Sequence, residues 1–195
     1  MTTVLGLLGA VTTLASAAAL VRMHLQPNGH DPLHDAVSDY GLGPTAGYYR
    51  WHTALSAYAA LFVAAALART EHPVPQLLVY LLLTFACARL VIPSYPTDPD
   101  RSRPTGTGRV HILLAAAAFA SIAWCAAALP GRVDWPSLHG FLVVLGWIVV
   151  ATAAACALGL AAMLVRVTVP FFGALQRAFY VAMLTWLFVV SVHFV

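Results

Sequence analysis

Between Ser137 and Val165 the chain runs without a single Asp, Glu, Lys or Arg, and most residues in that stretch are Ala, Leu, Val or Gly. A run of this length matches the roughly 20 residues a helix needs to cross about 30 Å of hydrocarbon. Five more segments share its character: Thr3 to Met23, Tyr48 to Ala68, Pro75 to Ile92, Arg109 to Leu129 and Gly173 to Phe194. Each is bounded by charge, Pro or Gly, the punctuation expected where a chain leaves the membrane. In lipid every backbone N–H and C=O must be satisfied internally, so only helices or closed barrels span. These segments lack the alternation of barrel strands. The fold class is therefore all-α, a single six-span helical bundle covering residues 1–195. Composition agrees, because 61% hydrophobic residues and 9% charged residues lie far outside soluble usage.

The first segment is read as a span rather than a secretory signal, since it lacks a basic leader and its apolar run from Val4 to Val21 exceeds a typical signal core. A net charge of +3, from ten Arg and no Lys against seven acids, is too small and scattered for nucleic-acid binding. Cys87, Cys125 and Cys156 all fall in apolar runs and read as small buried hydrophobes.

Six spans put both termini on one face, here called face A. The connections after spans one, three and five then share the opposite face B. Face B carries the polar material: "GHDPLHDAVSDYGLGP" from Gly29, "SYPTDPDRSRPTGTGRVH" from Ser94, and "RVTVPFFGALQR" from Arg166. Face A has only short turns, containing His72 and Arg132, and the structural His139 and His193. The Arg excess on face B places that face in the cytoplasm by the positive-inside rule.

The first polar stretch has helix punctuation, with Asp31 as N-cap, Pro32 at the first helical position and Gly41 past the end. A short interfacial helix from Pro32 to Tyr40 is expected. Its apolar side would hold Leu33, Ala36, Val37 and Tyr40, and its polar side His34, Ser38, Asp35 and Asp39. One reading makes it a plain interfacial helix with a solvated face. The other makes it part of a site, because parity brings Asp98, Arg101, Arg103, Thr105 and His111 to the same face, with His52 and Arg177 near the starts of spans two and six.

His111 and Arg177 lie about one turn inside their spans, where a polar side chain normally faces the bundle interior or a wet cavity. Snorkelling of Arg177 to the interface is the competing account. Arg89, inside span three, reads either as a counter-ion for Asp98 or as a snorkelling end residue. Three chemistries bear on such a cluster. A divalent-metal site would draw on His34, Asp35, Asp98 and His111, without any paired metal-ligand spacing. A proton-transfer site would pair Asp98 or Asp35 with a His, with Arg177 and Arg103 meeting an anionic head group. Haem is disfavoured, since the face B histidines do not pair at matching depth.

Four motifs carry a family resemblance: "NGHDPLHDAVSDYGLGPTAG" from Asn28, "YPTDP" from Tyr95, "TGTGRVHILLAAAAF" from Thr105 and "LQRAFYVAMLTWL" from Leu175. Together they resemble the six-helix bacterial membrane family known as domain of unknown function 998, over nearly the whole chain. What the resemblance implies is a set of recurrent polar positions, Asp31, Ser38, Asp98, His111 and Arg177. His30 departs from the family's aromatic residue, and His34, Asp35 and Arg89 fall outside its pattern. The family topology implies face B outside, against the Arg count. More distantly the chain looks like the Frag1, DRAM and Sfk1 group, which includes a lipid-remodelling factor.

The expected function is therefore a membrane protein of the bacterial inner membrane whose face B site binds, and in one version modifies, a lipid or isoprenoid head group. Asp98 and His111 would carry a proton or metal, and Asp31, Ser38, Arg103 and Arg177 would contact the ligand. Membrane lipid is the expected partner. The competing function is a non-enzymatic accessory subunit or small transporter whose polar cluster is structural.

Overall fold

A computed structural model describes residues 1–70, 74–99, 103 and 105–195. His72 and Arg101 lie outside the described residues. Six long helices follow one another: α1 (Thr2–Leu25), α2 (Ala46–Leu67), α3 (Gln76–Val91), α4 (Gly106–Ala128), α5 (His139–Leu164) and α6 (Phe172–His193). No strand occurs among the described residues. Each helix packs on its neighbour in sequence, and α6 packs back on α1, so the six close into a ring with α2 and α6 touching across it. The shared core is built from Leu, Ala, Val and aromatic side chains, with Trp186, Phe85, Phe179 and Met183 fully buried.

Five of the helices are long and apolar enough to cross a membrane: α1, α3 with its 3-10 extension to Ser94, α4 extended to Arg132, α5 and α6. α2 is not among them, although its 22 residues reach about 33 Å at 1.5 Å per residue. Its hydropathy is lowered by His52, Thr53 and Ser56, all of which are buried and turned into the ring rather than toward lipid. The sequence places these polar groups in a span, and the packing hides them.

The interfacial helix expected from Pro32 to Tyr40 does not form as one piece. One helical turn closes at Asp31, whose carbonyl accepts from the Asp35 N–H at 2.8 Å. Ala36 is then extended (φ −65°, ψ 150°), and a 3-10 helix runs from Val37 to Gly41. A continuous helix would have bonded the Val37 N–H to the Leu33 carbonyl. Both groups are instead taken by α6: Val37 N–H donates to Gln176 Oε1 at 2.7 Å, and Leu33 O accepts from Ala174 N–H at 3.1 Å. Asp35 O, which a continuous helix would have bonded to the Asp39 N–H, receives Arg177 Nη1 at 2.9 Å. Side chains complete the break, because Asp39 Oδ2 accepts the Ala36 N–H at 2.9 Å.

This exchange requires backbone-to-backbone approach at Gly173. A Cβ there would lie 2.7 Å from Pro32 O and closer still to Asp35 O, below any real carbon contact. Gly173→Ala is therefore expected to lift the first loop off α6 and lower unfolding stability by about 1–3 kcal/mol, the usual cost of overpacking. Thermal unfolding in detergent measures it.

Candidate functional site

The 94–105 connection and α4 are joined by one carboxylate. Asp98 Oδ2 accepts the Thr105 N–H at 2.7 Å and Oδ1 accepts the Thr105 hydroxyl at 2.9 Å, while Thr105 Oγ1 accepts from Gly108 N–H at 3.1 Å. Thr105 is thus the N-cap of α4, and Asp98 fixes that cap while placing its charge at the helix's positive end. Gly108 is needed because the Asp98 carboxylate occupies the place a Cβ would take. Three residues further along α4, buried His111 holds its Nδ1 2.7 Å from the Tyr95 carbonyl. A carbonyl only accepts, so Nδ1 carries the proton in this contact.

Asp98, Gly108 and His111 form one wall of a small cavity of about 40 Å³, and Ser38, Phe172 and Gln176 form another. Ser38 arrives there because the broken first loop lies across α6. Phe172 arrives because the chain turns into α6 at Phe171 in the left-handed region (φ 68°), a conformation that costs a non-glycine residue about 1 kcal/mol or more. Four cavity-lining residues, Ala115, Leu160, Phe172 and Gln176, also line a second cavity of about 460 Å³ between α4 and α5. That larger space is floored by Ala120, Ala153, Ala157 and Ala161 and is almost wholly apolar.

Of the residues expected at the site, the fold brings Ser38, Asp98 and His111 together. Asp31 is exposed on the first loop, where its carboxylate accepts the Leu33 N–H at 2.8 Å and faces His34 Nδ1 at 2.7 Å. Those two donors hold its carboxyl below the usual carboxylate range. Asp35 accepts the Asp31 N–H at 2.8 Å and lies 3.4 Å from His30. His34 and Asp35 are thus engaged in loop pairs rather than gathered with Asp98 and His111, and no group of three or more His, Cys, Asp or Glu suited to a metal forms among the described residues. Arg103 is exposed on the 94–105 connection. Arg177 does not line the cavity. Its Nε donates to His24 Nε2 at 2.8 Å, and its guanidinium lies 5.3 Å from the centre of the Tyr40 ring.

A second polar cluster lies deeper, and the sequence signalled only part of it. Arg89 neither snorkels nor pairs with Asp98. It is 1% exposed, donates from Nε to Ser56 Oγ and from Nη1 to Tyr180 Oη, both at 3.1 Å, and lies 5.1 Å from the Tyr180 ring centre. His52 packs edge-on against the same ring and shares Nδ1 with Ser16 Oγ at 2.9 Å. Four helices, α1, α2, α3 and α6, are tied by this cluster. Tyr180 and Ser16 carry no sequence signal of their own, since a lone Tyr or Ser in a span is ordinary. Gln176, adjacent to the conspicuous Arg177, was the missed lining residue of the cavity.

A closed ring of six helices, five of them long and apolar enough to span, with its loop polar groups gathered at one end, is the architecture of a multi-pass helical membrane protein. Residues 7–193 match the family described as Protein of unknown function (DUF998), and the chain belongs to that family. No curated protein and no solved structure matches it.

Two outcomes follow from these contacts. Tyr180→Phe keeps the ring but removes the acceptor for Arg89 Nη1. Unfolding stability should fall by about 1–3 kcal/mol, the cost of stranding a buried charged donor, as read by thermal melts. Asp31 has a folded-state value below its unfolded one, so its stabilising effect is complete above the ordinary carboxyl range near about 4 and fades as pH falls through the lower value. Asp31→Asn should remove that part of the acid sensitivity of the fold, measured as melting temperature against pH.

Proposed function

We propose that this protein is a six-span bundle of the bacterial inner membrane that binds a lipid through its head group at face B, with the lipid's chain lying in the furrow between α4 and α5. One observation carries the reading: the polar cavity at Asp98 and His111 and the 460 Å³ apolar cavity share four wall residues, so a polar compartment meets an oily one. An amphiphile is the ligand class with matching halves. In this reading α2 is the sixth span, its polar residues satisfied inside the ring. The first loop, broken into a turn and a 3-10 helix, lies at the interface as a lid.

The head-group contacts come from hydrogen-bonding side chains: Ser38, Gln176, the Asp98 carboxylate and the His111 imidazole. His111, with its Nδ1 proton fixed on Tyr95 O, is oriented to exchange a proton at Nε2, which is the feature a lipid-modifying version of the function would use. Arg103 remains available to an anionic group at the membrane surface, whereas Arg177 serves the loop. A purely structural reading has one observation in its favour, the use of Asp98 to hold Thr105, the cap of α4. It makes the protein an accessory subunit or small transporter.

The two readings separate on purified protein. Ala157→Phe fills the furrow from an exposed position without touching Asp98 or His111. Lipid co-purifying with the wild type should be lost from this variant while its melting temperature stays within about 2 °C, a shift below that of a 1 kcal/mol change. His111→Gln should likewise lose lipid at nearly unchanged stability. If wild type holds no specific lipid by mass spectrometry and His111→Gln simply melts earlier, the structural reading stands.

A further inference from the structure

One of the first loop's fastenings to the bundle runs through a histidine whose protonation state is dictated by its two neighbours. His24 Nδ1 lies 2.7 Å from the Leu20 carbonyl, which can only accept, so Nδ1 carries a proton. His24 Nε2 lies 2.8 Å from Arg177 Nε, which can only donate, so Nε2 must be bare. The neutral Nδ1–H tautomer is the only form that fits both contacts. Arg177, oriented by this acceptor, reaches with Nη1 to Asp35 O of the first loop at 2.9 Å and to Gly173 O at 2.8 Å.

We propose that His24 is an acid-operated latch: a proton on Nε2 sets two donors and two positive charges face to face, breaks the Arg177–His24 bond and releases the first loop from the start of α6. The groups around the imidazole set the sign. From the loop, the Tyr40 ring centre lies 4.7 Å from that of His24 and 4.7 Å from that of His30. Among the loop's acids, the Asp35 carboxylate is engaged by the Asp31 N–H and by His30, Asp31 by the Leu33 N–H and His34, and Asp39 by the Ala36 N–H. From α6 the facing group is the permanent cation Arg177, and from α2 the buried His52 adds no negative charge. No carboxylate bonds His24 among the described residues, so a proton on Nε2 directly faces the Arg177 cation rather than an acid.

The contacts inside the loop, His30 with Asp35 at 3.4 Å, His34 with Asp31 at 2.7 Å and the Asp31 N–H with Asp35, do not involve His24. The loop therefore moves as a unit when its fastening through Arg177 fails and carries Ser38 away from the cavity it lines. The open state holds one more proton than the closed state, and the ratio of open to closed rises by up to tenfold for each pH unit of acidification in the imidazole range. The latch stands on the hydrogen bonds alone; its effect on a ligand rests on the head-group reading above.

Hydrogen–deuterium exchange of the full-length protein in detergent, corrected for intrinsic rates and compared between pH 7.5 and 5.0, tests the latch. Wild type should lose at least about tenfold in protection over residues 33–41 and at 174, and His30→Gln should behave the same way. His24→Gln, whose amide oxygen accepts from Arg177 at any pH, should keep its protection at pH 5.0. Unchanged protection in wild type overturns the proposal, as does an equal loss in His24→Gln. Co-purified lipid retained at both pH values while wild-type protection falls supports the latch and overturns the head-group reading instead.

Discussion

The peptide groups of the first loop and of the start of α6 are exchanged between the two segments, and the rest of face B depends on that exchange. Leu33 O, Asp35 O and the Val37 N–H would each have served an isolated helix, and each is bonded to α6 instead. At a membrane face an unpaired backbone group is costly, so a loop that leaves helical geometry needs partners of equal quality. α6 supplies them with a peptide N–H, a Gln amide and an Arg guanidinium, and Gly173 gives the clearance. The break at Ala36 then turns Ser38 toward α4, and Phe171 in its strained conformation turns Phe172 into the same space.

Polar groups inside the ring follow the same rule of compensation. Arg89 is buried inside the ring, and its partners are hydroxyl oxygens and the face of an aromatic ring. Such a cluster fixes the relative rotation of four helices, since Ser16, His52, Ser56, Arg89 and Tyr180 meet only in one arrangement. Association of helices in lipid has no hydrophobic drive to lean on, so specific hydrogen bonds and close packing of small residues must select the register. The Ala-rich faces of α4 and α5 have the second of these devices but leave a furrow between them.

Several residues were legible in the sequence because their chemistry is expensive in a membrane. His111 and Asp98 stood out as polar groups at the head of a span, and they do share a cavity wall. Arg177 stood out for the same reason, yet its guanidinium turns toward α1 and the first loop, where His24 and a backbone carbonyl meet it. The helix expected from Pro32 to Tyr40 had sound local signals, Asp31, Pro32 and Gly41. It failed because local signals weigh only local partners, and Gln176 lies 139 residues away in sequence. Asp39, expected on a solvated face, is buried and caps Ala36 instead.

The sequence by itself determined that the chain is an all-helical membrane protein, where its helices run within a few residues, and which loops carry polarity, because apolar length and backbone satisfaction in lipid admit few alternatives. It also determined the family, through motifs spread over the whole chain. Tertiary structure alone decided which polar residues share a cavity, which way each arginine points, and that an apolar furrow meets the polar pocket. Those outcomes depend on the rotation of each helix about its axis and on long-range exchange of hydrogen bonds. Neither is encoded in the spacing of residues along any one segment.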